Sequence, residues 1–207
     1  MARIGLLGGS FDPIHRAHLE LARRAADELG LQQVWLIPAG RPWQRGELAA
    51  SASQREDMTR LAAAADPRLR VLDLELRRDG PTYTIDTLRE LQASHPGDEF
   101  VLILGSDQLE NLPSWKDWRQ IAARVDLAVA QRPAHPARAA TDVLQALQAG
   151  GHRLRLLRMP PAEVSATEVR ERAARRRDLR DLVPAAVADY IERHHLYQNP
   201  CSPNGHT

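Results

Sequence analysis

Short apolar runs alternate along the chain with longer stretches in which apolar residues recur at helical spacing. The runs predict strands at residues 3–7, 33–37, 69–74, 100–104, 127–130 and 153–157. The helical spacing predicts helices at residues 18–29, 53–65, 84–93, 139–147, 167–176 and 184–194. Strands that alternate with helices are typical of βαβ units. We therefore expect an α/β fold, with a doubly wound parallel sheet, helices on both faces and a C-terminal helical segment.

The chain of 207 residues is long enough for one domain with a substantial core. Because it shows no internal repeat and no interior linker, we expect a single domain over residues 1–197. Residues 198–207 read QNPCSPNGHT. This stretch is polar and rich in turn formers, so we expect a disordered tail.

Charge and cysteine content narrow the range of partners. The chain has 28 Lys and Arg residues against 27 Asp and Glu residues, so its formal net charge is +1. This balance provides no overall field for nucleic acid but is compatible with a small anionic ligand in one cleft. The single cysteine, Cys201, cannot form an internal disulfide. Because no apolar run approaches the ~20 residues that cross a bilayer, and no signal-peptide pattern is present, we expect a cytoplasmic protein without membrane or nucleic-acid partners.

Polar motifs follow five of the predicted strands. They occupy residues 8–18, 38–45, 105–107, 131–133 and 159–170. In a parallel sheet, the loops after the strands emerge at the carboxyl edge. Ligands bind there, near the point where the strand order reverses, as in Rossmann-like folds. We therefore expect these five loops to line one crevice.

The first motif, GGSFDPIHRAH at residues 8–18, has the composition of a phosphate site. Gly8 and Gly9 let the backbone approach a bulky anion. His15 and His18 add two imidazoles beside a helix N-terminus, which carries roughly half a positive charge. The string is neither a GxGxxG dinucleotide fingerprint nor a P-loop. Any one histidine alone is more commonly a solvated or core residue, but the complete string favours phosphate binding.

The second motif is VSATEVRER at residues 164–172. Ser165 or Thr167 is a suitable N-cap for the following helix, and Glu168 suits its first turn. Arg170 then lies early on that helix, so the three side chains Ser165, Thr167 and Arg170 form a second candidate phosphate clamp. Alone, the pattern is more commonly ordinary capping on a charged surface helix. With the first motif it indicates a triphosphate site, because a triphosphate needs donors at both ends.

HxxH after GGSFDP, combined with SATxxR near the C-terminus, resembles the nucleotidylyltransferase superfamily. Within it the chain is similar to the bacterial nicotinate-nucleotide adenylyltransferases over residues 3–197. The supporting strings are IPAGRPW at 37–43, TYTIDTL at 82–88, GSDQL at 105–109, Ser114–Trp115, QRP at 131–133 and VADYIERHHLY at 187–197. Two positions depart from the family pattern. Ala17 replaces the glycine of HxGH, and the loop at 41–45 reads RPWQR, with Trp43 and Gln44 where proline and histidine are usual.

The resemblance implies that AMP passes from ATP to nicotinate mononucleotide, which gives nicotinate adenine dinucleotide and pyrophosphate in NAD biosynthesis. It implies Mg²⁺ bound mainly through the ATP phosphates, without protein metal ligands, and it allows a homo-oligomer. His15, His18 and Arg170 are then catalytic. The implied ATP-binding residues are Gly8, Gly9, Ser10, Phe11, His15, His18, Gly105, Asp107, Ser165, Thr167 and Arg170. The implied acceptor-binding residues are Arg45, Thr84, Ile85, Trp115 and Lys116.

Three alternatives stay open at this point. A sister enzyme would share the histidine motif but use another acceptor, such as nicotinamide mononucleotide or phosphopantetheine, or would transfer a cytidylyl group. A nucleotide-binding sensor would keep the glycines without turnover. A Rossmann oxidoreductase is disfavoured because GxGxxG and its acidic ribose partner are missing. Trp115 is by itself typical of a half-buried packing residue, and we expect the neighbouring Trp118 in the core.

Overall fold

A six-stranded parallel sheet forms the centre of the molecule. The computed structural model describes residues 1–42, 46–131, 139–160 and 164–198. In spatial order the strands are β3 (Leu69–Val71), β2 (Gln33–Pro38), β1 (Arg3–Gly9), β4 (Glu99–Gly105), β5 (Asp126–Gln131) and β6 (Leu154–Arg158). All neighbouring pairs are parallel. Because the order reverses between β1 and β4, the predicted doubly wound α/β fold is confirmed, and a ligand crevice is expected beside these two strands.

Helices cover both faces of the sheet. In the described ranges they are α1 (Arg16–Leu29), α2 (Ala52–Ala63), α3 (Thr84–Ser94), α4 (Ser106–Asn111), α5 (Trp118–Ala122), α6 (Thr141–Ala149), α7 (Ala166–Ala174) and α8 (Ala185–Arg193). Gly30 follows α1 in the left-handed conformation with a φ of 62°, a conformation that glycine adopts readily, and it ends the helix. The helices α7 and α8 form the expected C-terminal segment.

Two hydrophobic cores lie on opposite faces of the sheet, because successive residues of a strand point to opposite sides. Leu7 and Ile103 belong to the core shared with α1, α2, α7 and α8. Leu6 and Leu102 belong to the core shared with α3, α4, α5 and α6. A Cβ on Gly5 of β1 would lie 2.8 Å from Ile103 Cδ1, so the first core is closely packed against the middle of the sheet.

Several element bounds differ from those predicted. The edge strand β3 ends at Val71 rather than at residue 74. Neither α4 nor α5 is predicted from the sequence, because helices of 6 and 5 residues are too short to show a helical period. Helix α1 begins at Arg16, two residues before the predicted start at residue 18, and this places His18 within its first turn.

Residues 199–207, with Cys201, lie outside the described residues. The disorder of residues 198–207 and the single domain over residues 1–197 therefore stay predictions. No helix in the described ranges is both long enough and apolar enough to cross a membrane.

Candidate active site

The loop between β1 and α1 lies at the carboxyl edge of the sheet, at the switch in strand order. Phe11 folds its ring back under this loop, where it is 1 % exposed, with a φ of 47°. A Cβ on Gly9 would lie 2.8 Å from Phe11 Cε1, so the ring leaves room only for glycine at this position. The nearest atom to a Cβ on Gly8 is Ile37 O, at 4.0 Å, which is an ordinary contact. Of the two glycines, only Gly9 is therefore required by packing.

The two histidines of the first motif stack at the start of α1. Their ring centroids are 3.7 Å apart with an interplanar angle of 24°, and the edge of Phe11 meets the His18 ring at 5.1 Å. His15 is the N-cap residue, and its backbone N–H donates to His18 Nδ1 at 3.3 Å. Since Nδ1 accepts this bond, a neutral His18 ring carries its proton on Nε2. Nε2–H is the kind of donor that a phosphate oxygen accepts.

The second motif reaches the first through Arg170. Arg170 Nη1 donates to the backbone oxygen of Asp12 at 2.8 Å, and Nη2 donates to Thr167 Oγ1 at 3.3 Å. Ser165 is the N-cap of α7, because its Oγ accepts from the backbone N–H of Glu168 at 3.2 Å. Thr167 lies inside the helix, so of the two predicted caps Ser165 is the one used. The structure thus brings together segments that are more than 150 residues apart in the chain, as the triphosphate hypothesis requires.

A buried arginine that the sequence analysis missed braces the same loop. Arg55 of α2 is 2 % exposed and donates to Ser10 O at 2.8 Å, to Ala39 O at 2.7 Å and to Gly40 O at 3.4 Å. Burial lowers the pKa of Arg55, and the nearby Asp12 carboxylate partly offsets this effect. The partners are backbone carbonyls of other segments, so no motif in the sequence marks this residue.

A cavity of about 380 Å³ opens beside Arg55, between the loop after β2 and the start of α2. Its walls include Gly40, Pro42, Leu48 and Ala50. The predicted contact residue Arg45, together with Trp43 and Gln44, lies outside the described residues. Arg55 thus holds the described part of this loop next to the loop between β1 and α1.

The loop after β4 places Gly105 and Asp107 at the same edge of the sheet. Gly105 is the N-cap residue of α4, and Asp107 lies exposed in the first turn. A Cβ on Gly105 would lie 2.6 Å from Asp107 Oδ1, so this position has room only for glycine unless the Asp107 carboxylate moves. Asp107 Oδ2 accepts from Gln108 Nε2 at 3.1 Å. The carboxylate therefore stands at the surface, where it can accept hydrogen bonds from a ligand hydroxyl.

Two of the predicted acceptor-binding residues lie at the N-terminus of α3. Thr84 is its first residue and Ile85 its second; the Ile85 side chain is fully buried in the core, so Ile85 offers a ligand only its backbone N–H. Lys116 Nζ lies 3.1 Å from Asp86 Oδ2 and 4.4 Å from the centroid of the Tyr83 ring. The ion pair with Asp86 therefore holds Lys116 at the N-terminus of α3.

The two neighbouring tryptophans have different environments. Trp115 is half-buried and packs against the second core. Its Nε1–H is buried and has no hydrogen-bond partner among the described residues. Trp118 is 7 % exposed and belongs to that core, which confirms its predicted position. Trp115 is thus the one whose ring lies partly at the surface near α3 and α4.

A buried carboxyl group supports the segment that leads into α3. Glu75 is 9 % exposed, and its Oε1 accepts from Thr87 Oγ1 at 2.6 Å. Burial raises the pKa of Glu75, and hydrogen bonds from Thr87 and Thr82 partly offset the rise. A Cβ on Gly40 would lie 2.2 Å from the backbone oxygen of Glu75, so the loop after β2 packs tightly against this segment.

The described site carries imidazole, guanidinium and hydroxyl groups. No group of three or more His, Cys, Asp and Glu residues in the described ranges is arranged to hold a metal ion. A divalent ion with few protein ligands fits a site of this kind when phosphates and water supply its oxygens.

The chain matches the cytidylyltransferase-like family model over residues 6–172. A relative from Bordetella petrii, with the name "probable nicotinate-nucleotide adenylyltransferase", is 52% identical over 200 residues, which are 96% of this chain and 100% of the relative. A relative of the same name from Bordetella pertussis is 46% identical over 198 residues, with 96% of this chain and 99% of the relative covered.

Among solved structures, the fold is similar to the Plasmodium falciparum nicotinic acid mononucleotide adenylyltransferase complexed with NaAD. The TM-score is 0.77 at 20% identity, with 95% of this chain and 98% of that chain covered. This likeness supports the fold, and the curated relatives support the family. The chain therefore belongs to the cytidylyltransferase-like family and, within it, to the nicotinate-nucleotide adenylyltransferases.

Proposed function

We propose that this protein transfers the AMP moiety of ATP to nicotinate mononucleotide, which yields nicotinate adenine dinucleotide and pyrophosphate in NAD biosynthesis. Its family membership supports this reaction. The observation that carries the proposal is the 2.8 Å hydrogen bond from Arg170 Nη1 to the Asp12 carbonyl. It joins the arginine of the second motif to the loop that carries both histidines, so one anion can contact both.

The reaction joins a phosphate oxygen of the mononucleotide to the α-phosphorus of ATP. A new P–O bond forms, and the bond from the α-phosphorus to the α–β bridging oxygen breaks. The bonding electrons leave with pyrophosphate. Because the attacking oxygen is already ionised, no general base has to remove a proton. The rate therefore depends on in-line positioning and on neutralising the negative charge that develops.

The loop between β1 and α1, called the phosphate loop from here on, carries donors that meet these two requirements. We assign His15, His18 and Arg170 to the phosphates, with His18 Nε2–H as a donor to the oxygens whose charge grows during transfer. The backbone at Gly8, Gly9, Ser10 and Phe11 lines the same pocket, and the positive end of α1 adds to its field. Ser165 and Thr167 bind from the α7 side.

The nucleoside and acceptor lie on either side of the phosphates in this proposal. Gly105 lines the adenosine crevice, and the exposed Asp107 carboxylate binds a ribose hydroxyl.

For the acceptor, the first amides of α3, at Thr84 and Ile85, are directed to the pyridine carboxylate, because a helix N-terminus favours an anion over a neutral amide. Trp115 stacks on the pyridine ring, and Lys116 and Arg45 contribute positive charge.

Mg²⁺ is proposed to accompany ATP, held mainly by phosphate oxygens and water. It supplies charge neutralisation on the triphosphate. The complexes of the Plasmodium falciparum enzyme with NaAD and with APC support nucleotide substrates for this chain as well. The cytoplasmic location and a homo-oligomeric state stay predictions.

The test compares the rates of reaction of several acceptors with ATP and Mg²⁺. The rate is measured as pyrophosphate release, and the dinucleotide product is then identified. We expect the highest kcat/KM with nicotinate mononucleotide, a lower value with nicotinamide mononucleotide and no product with phosphopantetheine. A preference for either of the other acceptors would assign the chain to a sister activity. ATP binding without release of pyrophosphate from ATP, whichever acceptor is supplied, would support the sensor alternative and contradict transfer.

A further inference from the structure

The carboxylate of Asp12 lies buried beneath the phosphate loop, at 4 % exposure. Its two oxygens accept hydrogen bonds from neutral donors of distant segments. The backbone N–H of Ala49 donates to Oδ2 at 2.7 Å, and that of Ala50 donates to Oδ1 at 3.1 Å. The hydroxyl of Tyr197, which follows α8, donates to Oδ1 at 2.8 Å. Tyr197 is the only side chain among these three donors.

The backbone of the same residue orients Arg170. The Asp12 carbonyl accepts from Arg170 Nη1, so a single residue links Tyr197 to the arginine assigned to the phosphates. A guanidinium group has five N–H donors, and the hydrogen bonds to Asp12 and Thr167 engage two of its nitrogens. The direction in which Arg170 presents its remaining donors therefore depends on how firmly the Asp12 peptide is held.

The electrostatics around Asp12 explain why a neutral donor is suitable. The Tyr197 hydroxyl interacts electrostatically with the Asp12 carboxylate and with the guanidinium groups of Arg55 and Arg170. Burial and the Asp12 carboxylate raise the pKa of Tyr197, so its hydroxyl stays a proton donor at all ordinary pH values. If this donor were lost, a buried carboxylate oxygen would keep one hydrogen bond fewer. Arg170 would then be attracted toward the carboxylate and away from a phosphate.

We propose that Tyr197 is a positioning residue for adenylyl transfer, whose hydroxyl occupies the Asp12 carboxylate and thereby keeps Arg170 directed at the phosphates of ATP. This role rests on the function proposed above. It gives the C-terminal end of the described chain a part in the ATP site, although Tyr197 itself touches neither substrate.

The chain offers a matched control in Tyr190 of α8. Its hydroxyl donates to Asp57 Oδ2 at 2.8 Å, so it too forms a tyrosine–aspartate hydrogen bond between the C-terminal segment and an earlier part of the chain. Asp57 lies on α2, and neither residue contacts the phosphate loop through a hydrogen bond in the described structure. Tyr190→Phe and Tyr197→Phe therefore remove the same group and the same kind of bond, but only the second change affects Asp12.

The experiment measures both variants and the wild type in three ways: urea unfolding, steady-state kinetics, and calorimetric binding of a non-hydrolysable ATP analogue with Mg²⁺. We expect Tyr197→Phe to lower kcat/KM for ATP by about tenfold, the effect of losing one hydrogen bond to a charged group, with KM for the mononucleotide unchanged. Its affinity for the analogue should fall, whereas Tyr190→Phe should keep wild-type kinetics and binding. Similar losses of stability in both variants are compatible with the proposal.

A Tyr197→Phe variant with the kinetics and analogue affinity of Tyr190→Phe would overturn the positioning role, whatever its stability. An equal rise in KM for both substrates would also overturn it, because a general loosening of the fold would then explain the effect. The binding measurement needs no acceptor. If the wild type binds the analogue but transfers nothing, the proposed function fails, and the two analogue affinities still decide the role of Tyr197.

Discussion

Replacing His18 with asparagine separates the observed hydrogen bond of Nδ1 from the phosphate contact that we propose for Nε2. Nδ1 accepts the backbone N–H of His15 at 3.3 Å, and the amide oxygen of asparagine can reach a similar position. The Nε2–H donor, however, has no counterpart in asparagine. Glutamine is the matched variant, because its longer side chain places an amide N–H near the position of Nε2. Both changes remove the stacked ring; asparagine keeps a counterpart of Nδ1, and glutamine keeps a counterpart of the Nε2 donor.

The expected magnitude follows from the group that is removed. Loss of one preorganised donor to a developing oxyanion costs ~3–4 kcal/mol of transition-state stabilisation. At 1.36 kcal/mol for each factor of ten, kcat of His18→Asn should fall by about 10²- to 10³-fold. The helix N-terminus should lose little, because a capping hydrogen bond contributes only ~1 kcal/mol and asparagine retains an acceptor for the N–H of the N-cap residue His15. His18→Gln should recover about one order of magnitude of kcat over His18→Asn.

The assay is pyrophosphate release at saturating ATP, Mg²⁺ and nicotinate mononucleotide, with urea unfolding as the control for the fold. Each variant should unfold at a denaturant midpoint close to that of the wild type. A kcat for His18→Asn within about threefold of wild type would refute the catalytic role, since that factor is less than 1 kcal/mol. Equal losses in the asparagine and glutamine variants would show that the ring, and not the Nε2 donor, is what matters.

Three further predictions concern stability. Gly9→Ala should lower the free energy of unfolding by ~1–3 kcal/mol, because the added Cβ would press on the Phe11 ring. Gly8→Ala should stay within ~1 kcal/mol of wild type, and urea unfolding of the two variants tests this difference. Ser165→Ala should cost ~1 kcal/mol in the same assay through loss of the N-cap, and Ser165→Asn should restore most of it. The raised pKa of Glu75 means that the folded state binds more protons than the unfolded state between the two pKa values. Stability should therefore fall as pH rises from about 4.5 through the raised folded value, and Glu75→Gln should remove that fall; a variant with an unchanged pH profile of unfolding would contradict this assignment.

The sequence predicts the architecture well because each central strand is an uninterrupted apolar run, and such runs have few alternatives in an α/β chain. Its errors have local causes. Among the described residues, the strand β3 pairs with β2 alone, so its end is set by that pairing and not by the apolar residues that continue past Val71. The short α4 and α5 follow from the path of the chain over the second core, which no window of five or six residues reveals.

Some residues of the candidate site could be predicted from the sequence, and others could not. Glycines and histidines in a fixed string are visible in the sequence, and so is the SxTxxR pattern. Arg55 and Tyr197 are not, because their partners are a set of backbone carbonyls and one buried carboxylate that only the fold brings near. The burial of the Ile85 side chain could have been predicted from the sequence, because its helical spacing with Leu88 and Leu91 places it on the inner face of α3.

The most direct test of the account is a crystal structure of the protein with Mg²⁺ and a non-hydrolysable ATP analogue. The account predicts that oxygens of one triphosphate lie within hydrogen-bond distance of both His18 Nε2 and the Arg170 guanidinium, while Arg170 keeps its contact with the Asp12 carbonyl. A triphosphate that contacts only one of these side chains, or that binds elsewhere on the molecule, would contradict the claim that both ends of the chain form a single phosphate site.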